Sequence, residues 1–388
     1  MIRYAEGYVV DIKKRRDTLE IIEVETQLQP KPRRQAMHFP KLWRSIRIGD
    51  RVLLNTNAVS LGLGTGGYDF VIGLLDAPMN DYSQRPLPGH ILKMRYTPLQ
   101  LSVQAEELNV PEHVWSYPVE LSLLGRIVFI LPLHSALPLV VRCLKTYHPQ
   151  SRMVYIMNDA TALTVWFSQH VDHLYQLGLL DAVITAGQAF GGTYEAINLY
   201  SALFMASRVF NFDWIVLGPG PGNVGTGTPL GHSGMQGLDA AHAVLALGGT
   251  PALLPRMSLA EPRLRHRGMS HHFLNVLRLL LRSVEVVLPK DAFDRPYRGT
   301  YQWMLHHLMQ RWQDPPLNQH VLRLTDIMPL SEVHTHLRAI HPVDSMGRAY
   351  SDDPLYTDVL LTACRYWQEK ASHPFVTDTS ESDQSKHL

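Results

Sequence analysis

From Gly7 to about Leu75, short β-branched runs alternate with turns: GYVVDI, the charged turn KKRRD, LEIIEVET, a Pro-rich connection, DRVLLNT and, after LGLGTGG, YDFVIGL. Apolar runs of this length, broken by Gly, Asp and Pro, predict a small antiparallel barrel or sandwich. After a linker near Val110 to Glu120 the rhythm changes to apolar strand, small-residue loop, amphipathic helix. The predicted strands are RIVFILPL, RMVYIMND, DAVITAG, DWIVLGPG, PALLPRM and VEVVLPK. The helical stretches between them are ALPLVVRCLKTY, ALTVWFSQHVDHLYQLG, TYEAINLYSALFMASRVF, MQGLDAAHAVLALGG and HHFLNVLRLLLRS. Continuous apolar strands alternating with helices predict a mainly parallel, Rossmann-like α/β sheet of about six strands, covered on both faces.

The expected division is a small β domain over 1–100, a linker over 101–125, the α/β domain over 126–300, a helical extension over 301–370 and a disordered polar tail over 371–388.

In an open α/β sheet, ligands bind at the carboxyl ends of the strands, so the loops following each strand are where chemistry is expected. The first strand ends at His134 and Ser135, the second at Asn158 and Asp159, and the third runs into AGQAFGGTYEA. The fourth opens VLGPGPGNVGTGTPLGHSG, with seven glycines in nineteen residues, and the fifth leads to RMSLAEPRLRHRGMSHH.

Within the fourth loop, Gly220, Gly222 and Gly225 form a G-x-G-x-x-G pattern. Pro221 sits inside that turn and the helix starts only near Ser233, so the loop is too long for an ordinary dinucleotide fingerprint. No Lys follows as in a P-loop. Backbone amides of Gly222 to Thr228, Gly227 included, the hydroxyls of Thr226 and Thr228 and the following helix N-terminus would suit an anion. The alternative is a structural crossover capped by Ser233.

The fifth loop supplies positive charge from Arg256, Arg263, Arg265 and Arg267, before Ser270 caps a helix bearing His271 and His272. Guanidinium groups grip phosphate or carboxylate with paired hydrogen bonds. These arginines could instead be solvated or paired with Glu261.

In the third loop, Gly191 and Gly192 precede Thr193, with Glu195 read as lying in the first helical turn, and a helix cap explains the pattern. Asp159 could hold a hydroxyl, a Mg²⁺ water or a proton, or simply cap a helix. Among twenty histidines, His134, His232, His271 and His272 stand at the expected edge; of the catalytic candidates, His134 or His271 would transfer the proton and Asp159 would be the hydroxyl or metal partner. No zinc-ligand spacing and no nucleophile elbow is present, so no resident metal is expected.

Net charge is +1, which offers no global attraction to nucleic acid or membrane. Cys143 and Cys364 form no disulfide framework, and the N-terminus has no apolar leader, so a cytoplasmic protein is expected. No apolar run reaches the roughly 20 residues of a membrane span. Between Lys13 and Arg51, eleven basic residues face five acids. That excess raises a secondary reading, binding of single-stranded nucleic acid by the β domain. The Gly-rich stretch Leu61 to Gly67 could serve as a flap over the α/β site.

At LGLGTGG, AFGGTYEAINLYSAL, GPGPGNVGTGT, RHRGMSHH and DSMGRAYSDDP, the sequence resembles a bacterial family of unknown function, the one numbered 3866. The resemblance runs from the first strand to Asp352 and Asp353. It implies a bacterial cytoplasmic protein and supplies no reaction. The functional expectation therefore comes from the loops: binding of a phosphorylated or nucleotide-like small molecule, with phosphoryl transfer, hydrolysis or redox chemistry all open. A Mg²⁺ ion or a nucleotide is the conceivable cofactor. The alternatives are a ligand sensor that catalyses nothing and the nucleic-acid reading.

Overall fold

The computed structural model of the 388-residue chain describes residues 2–29, 31–63, 66–76, 86–115, 121–158, 164–338, 340 and 347–372. Asp159, the middle of the Leu61 to Gly67 stretch and the expected disordered tail from His373 onward lie outside them.

Five strands form a closed barrel in the order β1-β2-β3-β5-β4: β1 (Tyr4–Arg15), β2 (Glu20–Thr26), β3 (Arg33–His38), β4 (Arg51–Asn55) and β5 (Asp69–Leu74). β1 pairs with both β2 and β4, and two register breaks, at Val9/Asp11 and Ile12/Lys14, let it bend far enough to close the ring. Alternate residues Val9, Ile22, Val24, Ala36, Val52 and Leu54 fill the interior. A hairpin of β6 (Ile91–Lys93) and β7 (Leu101–Val103) follows.

The second sheet has six parallel strands in the order β11-β10-β9-β12-β8-β13. Its members are β8 (Ile127–Ile130), β9 (Met153–Asn158), β10 (Ala182–Ala186), β11 (Tyr194–Ala196), β12 (Trp214–Pro219) and β13 (Thr250–Leu253). The central strands are buried along almost their whole length, as a sheet covered on both faces requires. The covering helices include α1 (Leu137–Tyr147), α2 (Gln169–Gln176), α3 (Leu199–Phe204), α4 (Gln236–Ala246) and α5 (His271–Leu279). From β9 the chain steps outward through β10 to β11, then returns to place β12 between β8 and β9 before β13 flanks β8 on the far side. The direction of winding reverses beside β8 and β12, and a crevice opens where it does.

Two elements differ from the sequence expectation. VEVVLPK forms β16 (Glu285–Pro289), which pairs in parallel with β17 (Val321–Thr325) in a separate two-stranded sheet. The sixth strand of the main sheet is instead β11, inside a stretch read as helix. Its pairing of Ile184, Thr185 and Ala186 with Tyr194, Glu195 and Ala196 outweighs the local helical pattern, and α3 starts only at Leu199, capped by the Asn198 side chain. β14 (Met257–Ser258) and β15 (Gly268–Met269) make a small hairpin out of the fifth loop. The chain ends in α6 (Arg298–Trp312), α7 (Leu330–Arg338) and α8 (Pro354–Ser372). Among the described residues no helix is long and apolar enough to cross a membrane.

Candidate functional site

The crevice is bounded by the ends of three adjacent strands. Its apolar side comprises Ile130 to Leu133 after β8, Leu253 and Leu254 at β13, and Phe273 and Val276 on α5. Its polar side comprises Asn223, Ser233, Gln236, Arg256 and His272.

The glycine-rich loop between β12 and α4 folds back on itself. Gly225 bridges His232 in antiparallel fashion, the Thr226 amide donates to the Gly231 carbonyl at 2.8 Å, and the Val224 amide donates to Ser233 Oγ at 3.1 Å. The Thr226 and Thr228 hydroxyls lie 2.9 Å apart and both reach Gly231. A Cβ at Gly231 would come within 2.4 and 2.6 Å of those hydroxyl oxygens, so only glycine closes this turn. Gly222 and Gly227 have φ of +97° and +81° and lie exposed at the bends. Gly220 is buried behind them. The amides and hydroxyls expected to receive an anion are thus partly engaged within the loop, whose lasting product is the placement of His232, Ser233 and Gly234.

Four imidazoles meet there. His232 stacks on His272 with centroids 3.5 Å apart, and His271 lies 4.2 Å from His272. His266, from the fifth loop, lies 4.5 and 4.6 Å from His271 and His272. The loops after β12 and β13 are therefore in contact. His266 holds Ser270 Oγ through Nδ1 at 2.8 Å, and Ser270 caps α5. Burial is the first cause depressing all four pKa values, and for His266, His271 and His272 the neighbouring cations and imidazoles add to it; His266 is brought to about 3 and His272 to about 2. All four rings are neutral at pH 7. His232 Nδ1, His266 Nε2 and both nitrogens of His271 are buried without a hydrogen-bond partner in the chain. Gln236 Oε1 and Arg256 Nη2 share that condition. Buried polar groups are nearly always paired, so this group of exceptions makes the cluster a candidate site.

Arg256, 6% exposed, stands 3.5 Å from Glu261, which also meets Arg263 at 2.7 Å and Arg348 at 3.1 Å. Burial alone would raise the Glu261 pKa, but Arg263 and Arg348 outweigh it and bring the carboxyl to about 2. Arg267 donates from Nε to the Glu261 carbonyl at 3.3 Å, and Arg265 is exposed, close enough for its charge to act on His271. One acid thus binds much of the charge the fifth loop brings.

The remaining sequence candidates lie elsewhere. His134 is buried beneath the crevice, with Nδ1 3.1 Å from the Pro219 carbonyl and Nε2 2.7 Å from Ser168 Oγ, the cap of α2. Gly191 and Gly192 stand at the opposite end of the sheet, lining a groove with Lys41, Trp166, Asp172 and Tyr175. A Cβ on Gly191 would lie 2.6 Å from the Trp166 ring. Glu195 does not sit in a helical turn: from β11 it accepts the Lys93 ammonium at 2.7 Å and the Gly191 amide at 2.6 Å.

On the barrel, six of the eleven basic residues are in ion pairs: Lys13 with Asp11 and Glu23, Arg15 with Glu20, Arg16 with Asp172, Arg34 with Asp69, Arg44 with Asp50, and Arg51 with Glu6. Lys41 lies over the Trp166 ring. The apparent excess of charge is thus largely compensated, and part of it fastens the barrel to the α/β unit.

His232, His271 and His272 stand at the edge the sequence indicates, but their meeting with one another and with His266 is not readable from it. The available signal was three histidines within seven residues of one loop, RHRGMSHH, and another beside the helix start of the loop before it.

A family of proteins of unknown function, DUF3866, matches residues 35–364 of the chain. No curated protein matches it.

Proposed function

Because the chain belongs to the DUF3866 family, whose description names no activity, we propose its function from the site alone: it binds a phosphorylated or nucleotide-like small molecule in the crevice at the carboxyl edge of the six-stranded sheet. The observation that carries this reading is Arg256, a buried guanidinium in the crevice wall whose Nη2 makes no hydrogen bond and stands 3.5 Å from Glu261, an acid it shares with Arg263 and Arg348. One carboxylate shared among three arginines leaves Arg256 with an unused donor, which an incoming anion would take up. Asn223 in the glycine-rich loop, and Ser233 and Gly234 at the entry to α4, stand around the same space. The apolar wall of Leu131, Leu133, Leu253 and Phe273 offers a surface for the non-anionic part of such a ligand. Arg265, exposed beside His271, adds positive potential at the rim.

A thermal-shift screen of inorganic phosphate, sugar phosphates, nucleotides and dinucleotides in EDTA tests it. A ligand at about a hundred times its Kd stabilises the native state by roughly 2.7 kcal/mol. Arg256→Gln, compared with its own unliganded melting point, should lose that shift, and Arg265→Ala should weaken it. A screen in which no phosphorylated compound raises the melting point, or a shift that survives Arg256→Gln, overturns the reading.

A further inference from the structure

We propose that His232, His271 and His272 form a binding site for a zinc-class divalent transition metal ion, opening onto the crevice. One donor nitrogen from each of the three lies within 4.8 Å of the others. Zinc takes imidazole nitrogen at 2.0–2.1 Å, and a tetrahedral set then needs nitrogens about 3.3 Å apart. Closing the set asks any pair to approach by at most about 1.5 Å, and with His232 held it asks His271 and His272 to turn towards it out of the stacked arrangement.

The protonation pattern suits ligation. His232 Nε2 is 3.0 Å from the Pro229 carbonyl, an acceptor only, so that nitrogen carries the proton and Nδ1 presents its lone pair. Metal-bound histidines characteristically donate their second ring N–H to a backbone carbonyl or carboxylate, and this contact fixes tautomer and orientation in advance. His232 is 8% exposed, and its Nδ1 has no partner in the chain. Neither ring nitrogen of His271 makes a well-formed hydrogen bond, though the Arg265 backbone stands close enough to act on the ring. The turn that Gly231 closes holds His232 in place, and Ser270 fixes the first turn of α5 from which His271 and His272 project.

Gly234 completes the pattern. A Cβ there would lie 3.0 Å from His232 Nδ1 and 3.3 Å from His272 Nδ1, so the missing side chain leaves room beside both donors. Gly234 takes no positive φ, and its backbone would accept alanine. The absence of a side chain is therefore explained by space beside the imidazoles and not by the turn.

An all-imidazole set selects zinc, copper, nickel or iron over Mg²⁺ or Ca²⁺, which take oxygen ligands. Three protein ligands leave a fourth position for water or a ligand oxygen. Because His272 and Gly234 also line the crevice, that position faces the space near Arg256. The arginines nearby disfavour a bare cation and favour one carrying an anionic fourth ligand.

The site does not rest on the phosphate reading, and the two can fail separately, since this test uses metal ions alone and the phosphate screen is run in EDTA. The full chain, stripped with EDTA and dialysed, is titrated with Zn²⁺ against a chromophoric chelator, and Co²⁺ substitution is followed by visible absorption. We expect one equivalent per chain, the absorption of four-coordinate cobalt, and affinity reduced at least about 10-fold in His271→Gln, His272→Gln and Gly234→Ala. Gly234→Ala removes no ligand and decides the matter if a histidine variant fails to fold. Absence of stoichiometric binding, or binding that Gly234→Ala and a folded histidine variant leave unchanged, overturns the site and assigns any retained metal to other histidines.

Discussion

His134 and Tyr155 share one acceptor: the imidazole Nδ1 and the phenol oxygen lie 3.1 and 2.6 Å from the Pro219 carbonyl at the end of β12. With Ser168 on the other ring nitrogen, the imidazole ties the first and fourth strand ends to the start of α2, below the crevice floor. Burial pushes its pKa from 6.5 to about 3, and the neighbouring His170 adds to the depression.

A pH dependence follows. A histidine whose folded pKa lies below its unfolded value takes up its proton in the unfolded chain first, so stability is lost as pH falls from about 6.5 towards 3. Each such group contributes a slope of up to about 1.4 kcal/mol per pH unit. His134 faces Tyr155 and His170 and no carboxylate among its hydrogen-bond partners, and burial outweighs the Pro219 carbonyl, which alone favours the charged form. Urea unfolding between pH 7 and 4 should show stability falling with pH, and His134→Gln should reduce the slope. An unchanged slope in that variant would place the linked protons elsewhere.

The Lys93–Glu195 pair is buried, at 3% and 13% side-chain exposure. Lys93 also donates to the carbonyls of Thr185 and Ala189. Glu195→Gln leaves an ammonium without its countercharge and should cost about 3 kcal/mol or more in urea unfolding. Lys93→Met combined with Glu195→Gln should recover part of that loss.

Gly231→Ala forces a methyl into the Thr226 and Thr228 hydroxyls. The exposed part of the loop should open without loss of the core, seen as faster amide exchange at Thr226 and faster proteolysis between Gly222 and Leu230. A melting point within a few degrees of wild type is expected.

The barrel should bind single-stranded DNA only weakly, with retention lost at modest salt, because most of its arginines already hold carboxylates. A column experiment over a salt gradient reads this directly. Tight retention abolished by neutralising Lys13 to Arg16 would restore the nucleic-acid reading.

The strands of the main sheet were legible where apolar runs such as MVYIM and WIVLG can only be buried on both faces. Their order was not, since adjacency of β12 to both β8 and β9 is a matter of winding that no local pattern encodes. Tyr194 to Ala196 read as helix because Thr193 and Glu195 resemble a capping pair; only the neighbouring β10 reveals a strand. VEVVLPK had the right composition for the main sheet, and its partner β17 lies 36 residues on at matched positions, in a region read as helical. The candidate site divides the same way. Positive charge and glycine at the carboxyl edge were readable, but the meeting of His232 with His271 and His272 depends on which loops the fold brings together. Pairing of the fifth-loop arginines with Glu261 was readable as an alternative, but that Arg348 joins Arg256 and Arg263 on it was not.

Beyond Lys93, the hairpin segment reaches the outermost strand of the main sheet, where Ala105 bridges to Glu195 in parallel. Unsheathed strand borders recruit other chains. The stretch joining barrel to sheet thus serves as a guard rail for β11, and a version of the protein trimmed to begin at Leu121 would bare that border and self-associate, even with every residue of the crevice still in place.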